Sequence, residues 1–219
     1  TLWVLYLSFV NVGQTFYSFG WESLLLETGF LAIFLGSSDV APSVIVMWLL
    51  RWILFRLMFG AGLIKIRGDE CWRDLTCLQY HYETQPLPNP LSWYFHHLPP
   101  LFQKASVLFN HFVELVVPFG LLIPGRIGII SGLITIVFQV SLIVSGNFSW
   151  LNCITLVLCI PCLDDSFLNR IYFALYTPSA NPVTQSPDSI LRQVVLFTLL
   201  GTIGVLSIRP TRNLFARRQ

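Results

Sequence analysis

Four stretches of this chain, 44–64, 101–123, 127–145 and 190–208, stay predominantly apolar for about the 20 residues a helix needs to cross a bilayer. No other feature limits the fold as tightly. In hydrocarbon a backbone must satisfy its own hydrogen bonds, which leaves helices and closed barrels as the only spanning structures. Further apolar runs occupy 1–18, 21–36 and 148–163. The runs 21–36 and 148–163 are short, which leaves re-entrant, tilted or interfacial placement open. The expected fold is an all-α polytopic transmembrane bundle of six or seven membrane helices. Charge supports this: only 11% of residues are charged while 54% are apolar, against about 25% charged in soluble domains. So little charge cannot clothe a water-facing surface, and the lipid bilayer is the expected surrounding. The net charge of +2 argues nothing about an anionic partner, but no basic stripe is wide enough for a nucleic-acid footprint, and no nucleic-acid partner is expected.

The chain divides into N-terminal membrane helices with a charged hairpin (1–66), a loop cap (67–100), further membrane helices (101–163), a linker loop (164–189), a last membrane helix (190–208) and a basic tail (209–219). It opens Thr1-Leu2-Trp3-Val4, inside an apolar run, and reads as a piece of a longer protein. The cap holds Pro86, Pro88, Pro90, Pro99 and Pro100 among Trp72, Tyr80, Tyr82, Trp93, Tyr94 and Phe95. Prolines at that density prevent a continuous helix, and the aromatics suit a folded cap at headgroup level. Two orientations compete. The basic tail, by the positive-inside rule, puts itself and the cap in the cytosol. Helix parity puts both in the lumen, where Cys71 and Cys77 meet an oxidising space, and this arrangement is slightly favoured.

Charges inside membrane spans cost about 2.5–3.5 kcal/mol each on insertion scales, so each needs a reason. Lys104, Asn110, His111 and Glu114 are spaced to share one side of the 101–123 helix. They suit a proton relay, a substrate site or an acid–base pair, but no nucleophile or metal signature accompanies them. Interhelical hydrogen-bonding glue is the favoured reading. In the first hairpin, Glu22 and Glu27 precede a turn near 38–40 and Arg51 and Arg56 follow it. Equal distances from the turn pair Glu27 with Arg51 and Glu22 with Arg56. A five-residue step rotates by about 140°, so one charge of each pair falls toward the interface edge.

Cys159-Ile160-Pro161-Cys162 has dithiol spacing without the βαβ platform of a redox motif, and is read as inert. Cys71 and Cys77 either form a local disulfide or stay as two thiols, since their spacing with His81 fits no common zinc site. Neither a metal nor a cofactor is expected. Asn147-Phe148-Ser149 is a glycosylation sequon. It lies hard against two spans, and Asn147 is expected to stay unmodified.

Several segments occur in a characteristic order: Gly20-Trp21-Glu22 through Leu31; Arg51-Trp52-Ile53 through Lys65; Asp74-Leu75-Thr76; Tyr80-His81-Tyr82-Glu83-Thr84-Gln85-Pro86-Leu87-Pro88-Asn89-Pro90; Asn110-His111-Phe112-Val113-Glu114-Leu115; Ser145-Gly146-Asn147-Phe148; and Leu163-Asp164-Asp165. This series resembles the lipase maturation factor family of endoplasmic-reticulum membrane proteins, with the second paralogue as the nearer likeness. The resemblance covers almost the whole chain, and Tyr80 to Pro90 is its most specific part. It implies a non-enzymatic secretory-pathway factor assisting the folding, assembly and maturation of secreted dimeric lipases such as lipoprotein lipase. It also implies a large soluble region after the membrane part, which this sequence does not contain. Two alternatives are a membrane enzyme related to vitamin K-dependent carboxylase-like proteins and a transporter, either of them using Lys104, His111 and Glu114. A transporter usually shows paired interrupted helices, and no such pair is evident.

Overall fold

The computed structural model describes residues 1–36, 41–85, 87, 89–175 and 189–214, which form helices and turns with no strand among them. The helices are α1 Leu2–Gly13, α2 Gly20–Ala32, α3 Val44–Arg67, α4 Glu70–Arg73, α5 Leu78–His81, α6 Ser92–His96, α7 Pro100–Leu115, α8 Val117–Leu121, α9 Arg126–Ser145, α10 Leu151–Cys159, α11 Asp165–Leu175 and α12 Ile190–Leu214. The 38–40 turn, Pro86, Pro88, residues 176–188 and the tail beyond Leu214 lie outside the described residues. The part of the 164–189 segment that is described is largely helical, as α11.

By length and composition, α3, α9 and α12 qualify as membrane spans, and α10 bent against α11 by 110° makes a fourth if counted as one. The expected count of six or seven is not reached by that measure. One cause is the 101–123 run, which breaks into α7 and α8 at Val116 (φ −106°, ψ −53°). Pro118 follows two residues later, and a proline lacks the amide proton and crowds the carbonyl four residues back. At about 1.5 Å per residue, the 12 residues of α1 and 13 of α2 are likewise too short for a core about 30 Å thick.

Helix α9 shows how the bundle is solvated. Its buried positions include Gly128, Ser131, Gly132, Thr135 and Gln139, while Ile127, Ile130, Val137 and Val140 face outward. Small and polar residues inside with branched apolar residues outside is the arrangement of helices packed in lipid. A Cβ at Gly128 would collide with the Ile123 carbonyl oxygen, so glycine is what allows that approach.

Helix α3 is the central element. It packs antiparallel to α7 and α8: Lys65 meets Glu114 near one end, and Phe55 and Phe59 meet Phe119 further down. Met58 meets Gln139 of α9, and Arg51 reaches the turn after α10. Helix α12 runs in the same direction as α3, with Arg192 beside Gly36 and Ser207 accepting from the Trp52 indole.

Candidate functional site

The cap is clipped to the bundle through free carbonyls at the end of α9. A helix leaves its last four carbonyls without intrahelical partners. Ser92 Oγ donates to the Ser145 carbonyl at 2.7 Å, Asn89 Nδ2 to the Gly146 carbonyl at 2.8 Å and Gln85 Nε2 to the Ser145 carbonyl at 3.4 Å. A second tie runs from Gln103 Nε2 to the His96 carbonyl at 2.7 Å. The Tyr80 to Pro90 stretch thus supplies two of the clip's side chains. Cys71 and Cys77 are joined by a disulfide that closes the turn after α4.

Beneath the cap, where α3 and α7 cross, lies a buried polar cluster. Lys65 Nζ donates to Glu114 Oε1 at 2.6 Å and to Asn110 Oδ1 at 2.8 Å, and Asn110 Nδ2 donates to Glu114 Oε2 at 2.9 Å. The Glu114 side chain is 4% exposed and that of Lys65 is 23% exposed. The ammonium also lies 4.8 Å from the centre of the Trp72 ring, within cation–π range. Gly62 lets the two helices close on the cluster, since a Cβ there would meet Glu114 and Leu115 at 2.9 and 2.7 Å.

This is a different grouping from the one spacing suggests. At about 100° per residue, Asn110 and Glu114 lie 40° apart and turn to α3. His111 is about 60° round from Glu114 and instead donates through Nε2 to the Trp72 carbonyl at 2.9 Å. Lys104 falls on that second side and is exposed, outside the cluster. The cation that completes the cluster is Lys65, which sequence reasoning left as the flank of α3. A lysine inside a span-length helix needs a counter-charge, and that requirement was the available signal.

The hairpin charges also pair differently. Arg56 binds Glu27, Glu22 accepts from the Tyr6 hydroxyl of α1, and Arg51 donates twice to the Pro161 carbonyl, at 2.9 Å from Nε and 2.7 Å from Nη2. The expected Glu27–Arg51 and Glu22–Arg56 pairs do not form. The 140° step between successive charges decides this: on each helix one charge faces the hairpin partner and the other faces a third element. Arg51 also lies 5.9 Å from the Trp48 ring centre.

Cys159 and Cys162 are buried at the bend after α10, where the Cys159 thiol donates to the Thr155 carbonyl at 3.2 Å. Asn147 is exposed, and its side-chain oxygen accepts from the Ser149 amide at 3.2 Å. Among the described residues no three His, Cys, Asp or Glu side chains are placed to hold a metal ion.

A cavity of about 430 Å³ opens beside the cluster. Leu57, Met58, Phe109, Phe138, Leu142 and Phe148 give it a mostly apolar wall, interrupted by polar side chains that include Lys65, Asn110, Glu114, Gln139, Asn152 and His81. Burial, and then the Lys65 charge, push the His81 imidazole below its ordinary range, so it is held neutral. A second hollow of about 540 Å³ lies between α2, α3 and α12 beside Glu27 and Arg56.

The sequence also matches known proteins. The family model of the lipase maturation factor transmembrane domain matches residues 1–170. Mouse lipase maturation factor 1 is 45% identical over the whole chain, and the human factor 1 is 55% identical over 78% of it. Lipase maturation factor 2 of Xenopus laevis is 44% identical over 94% of the chain. The chain spans 42%, 32% and 30% of the lengths of these three relatives. Relatives named factor 1 and factor 2 both match, the human factor 2 being 40% identical over 94% of the chain. No solved structure matches.

Proposed function

The chain belongs to the lipase maturation factor family, and on that premise we propose that it forms the membrane-embedded part of an endoplasmic-reticulum factor. In this reading the factor assists the folding, assembly and maturation of secreted dimeric lipases, lipoprotein lipase among them, without catalysing a reaction itself. The observation that carries the proposal is the match of the family's transmembrane domain to residues 1–170. The short helices α1, α2, α7 and α10 would then lie within the bilayer alongside the three full-length spans, giving the six or seven membrane passes.

The polar cluster suits a structural role. Both Glu114 oxygens are occupied and Lys65 is divided between two acceptors and a ring face, so Glu114, Lys65 and Asn110 are engaged with one another. The Cys71–Cys77 disulfide favours a lumenal cap, because such bonds persist in oxidising compartments. A sequon introduced at exposed Trp93 should become glycosylated in that orientation and stay bare in the other. The functional test is secreted lipase activity and dimer content in cells lacking the full-length protein, with and without its return. Restoration of both supports the reading; lipase that matures normally without the protein overturns it.

A further inference from the structure

We propose that the cavity beneath the cap is a binding site for a neutral lipid with one chain and a hydroxyl-bearing head. Its volume, about 430 Å³, lies toward the small end of the roughly 300–1,000 Å³ of small-molecule sites. That size suits one chain rather than two. The wall chemistry then selects the head.

The one carboxylate on the wall, Glu114, and the ammonium, Lys65, already neutralise each other at 2.6 Å. A charged head would therefore arrive without a counter-ion, and burying an unpaired charge costs far more than burying a hydroxyl. The fatty acid is thereby disfavoured against the alcohol or the monoglyceride. Among the described residues the wall also carries an unmet demand. Gln139 is 4% exposed; its Nε2 donates to Met58 Sδ at 3.4 Å, while its Oε1 has no partner among the described residues. A buried amide oxygen without a donor is costly, and a ligand hydroxyl would supply that donor. Leu57, Phe109, Phe138 and Leu142 offer the chain an apolar bed. The site lies between α3, α7, α9 and α10 and is independent of the lipase role.

The test uses the 219-residue chain in phosphatidylcholine nanodiscs with 1-oleoylglycerol carrying a diazirine in its acyl chain. After irradiation, mass spectrometry should place adducts on Phe109, Phe138 or Leu142. Excess unlabelled 1-oleoylglycerol should reduce them at least tenfold, while oleate and dioleoylphosphatidylcholine should not. Gln139→Leu keeps the volume and removes the acceptor, and should also reduce labelling at least tenfold. If that variant does not accumulate, the competition profile of the unaltered chain decides. Adducts confined to outward-facing Ile130, Val137 and Val140, or competition by oleate equal to that by 1-oleoylglycerol, would overturn the proposal.

Discussion

Two interhelical ion pairs among the described residues solve the same problem in different surroundings. Lys65–Glu114 sits under the cap, its carboxylate enclosed and shared with Asn110. Arg56–Glu27 stands twelve residues into α3, at side-chain exposures of 40% and 47%, beside a hollow between α2, α3 and α12. The first has a third polar partner and a fixed geometry. The second is a simple pair whose arginine has a long stem to move. An enclosed charge that loses its partner has little room to move, whereas a charge at the bundle's edge can reorient into the hollow beside it.

The comparison breaks first at Glu114. Replacing it by Gln leaves the part-buried Lys65 without a carboxylate, an expected loss of up to about 3 kcal/mol, readable as reduced cellular abundance and a lowered thermal transition in detergent. Glu27→Gln is expected to cost less, because Arg56 is more exposed than Lys65 and keeps a long stem to move. The swap Glu27→Arg with Arg56→Glu should recover part of that loss, while Glu27→Arg with Arg51→Glu should not. Recovery by the Arg51 swap would restore the pairing that sequence spacing suggested. Equal losses at Glu27 and Glu114 would remove the distinction between enclosed and edge charges.

These pairs mark how far the sequence could be read. Apolar run lengths make α3, α9 and α12 visible, because span length is set by bilayer thickness. They fail at 101–123, where Pro118 breaks a run whose composition alone reads as continuous. Asn110 and Glu114 are visible as neighbours because four residues nearly complete a helical turn. Their partner Lys65 is not, since it comes from another helix 45 and 49 residues away and only packing brings it near. The hairpin pairing goes astray for a related reason: distance from a turn fixes depth, but the side of the helix decides the neighbour. Glu22 and Arg51 turn to α1 and to the bend after α10, neither of which a two-helix argument contains.

Smaller effects sharpen the role of the cap. Ser92→Ala removes the 2.7 Å donation to the Ser145 carbonyl and is expected to cost about 0.5–1.5 kcal/mol, seen as faster proteolysis within 67–100 while the span helices stay protected. The smallest effect is in pH. His81 is held below its ordinary value of 6.5 by burial first and by Lys65 second. Below that ordinary value the unfolded chain takes up a proton that the folded chain resists, so stability should be flat above about pH 6.5 and fall below it. His81→Gln should flatten the lower limb, and an unchanged slope would show that another group carries it.

Whether the buried cluster is a structural joint or a chemical site is tested most directly by removing both charges together. Lys65→Met with Glu114→Leu replaces the pair by apolar groups of similar size, an exchange that is often neutral where loss of one partner is severe. In cells lacking the full-length protein, the double variant returned in full-length form should accumulate better than Glu114→Gln alone and restore secreted lipase activity in proportion to its abundance. A double variant that is abundant and folded, yet restores no lipase activity, would contradict the structural account and assign the cluster a chemical task.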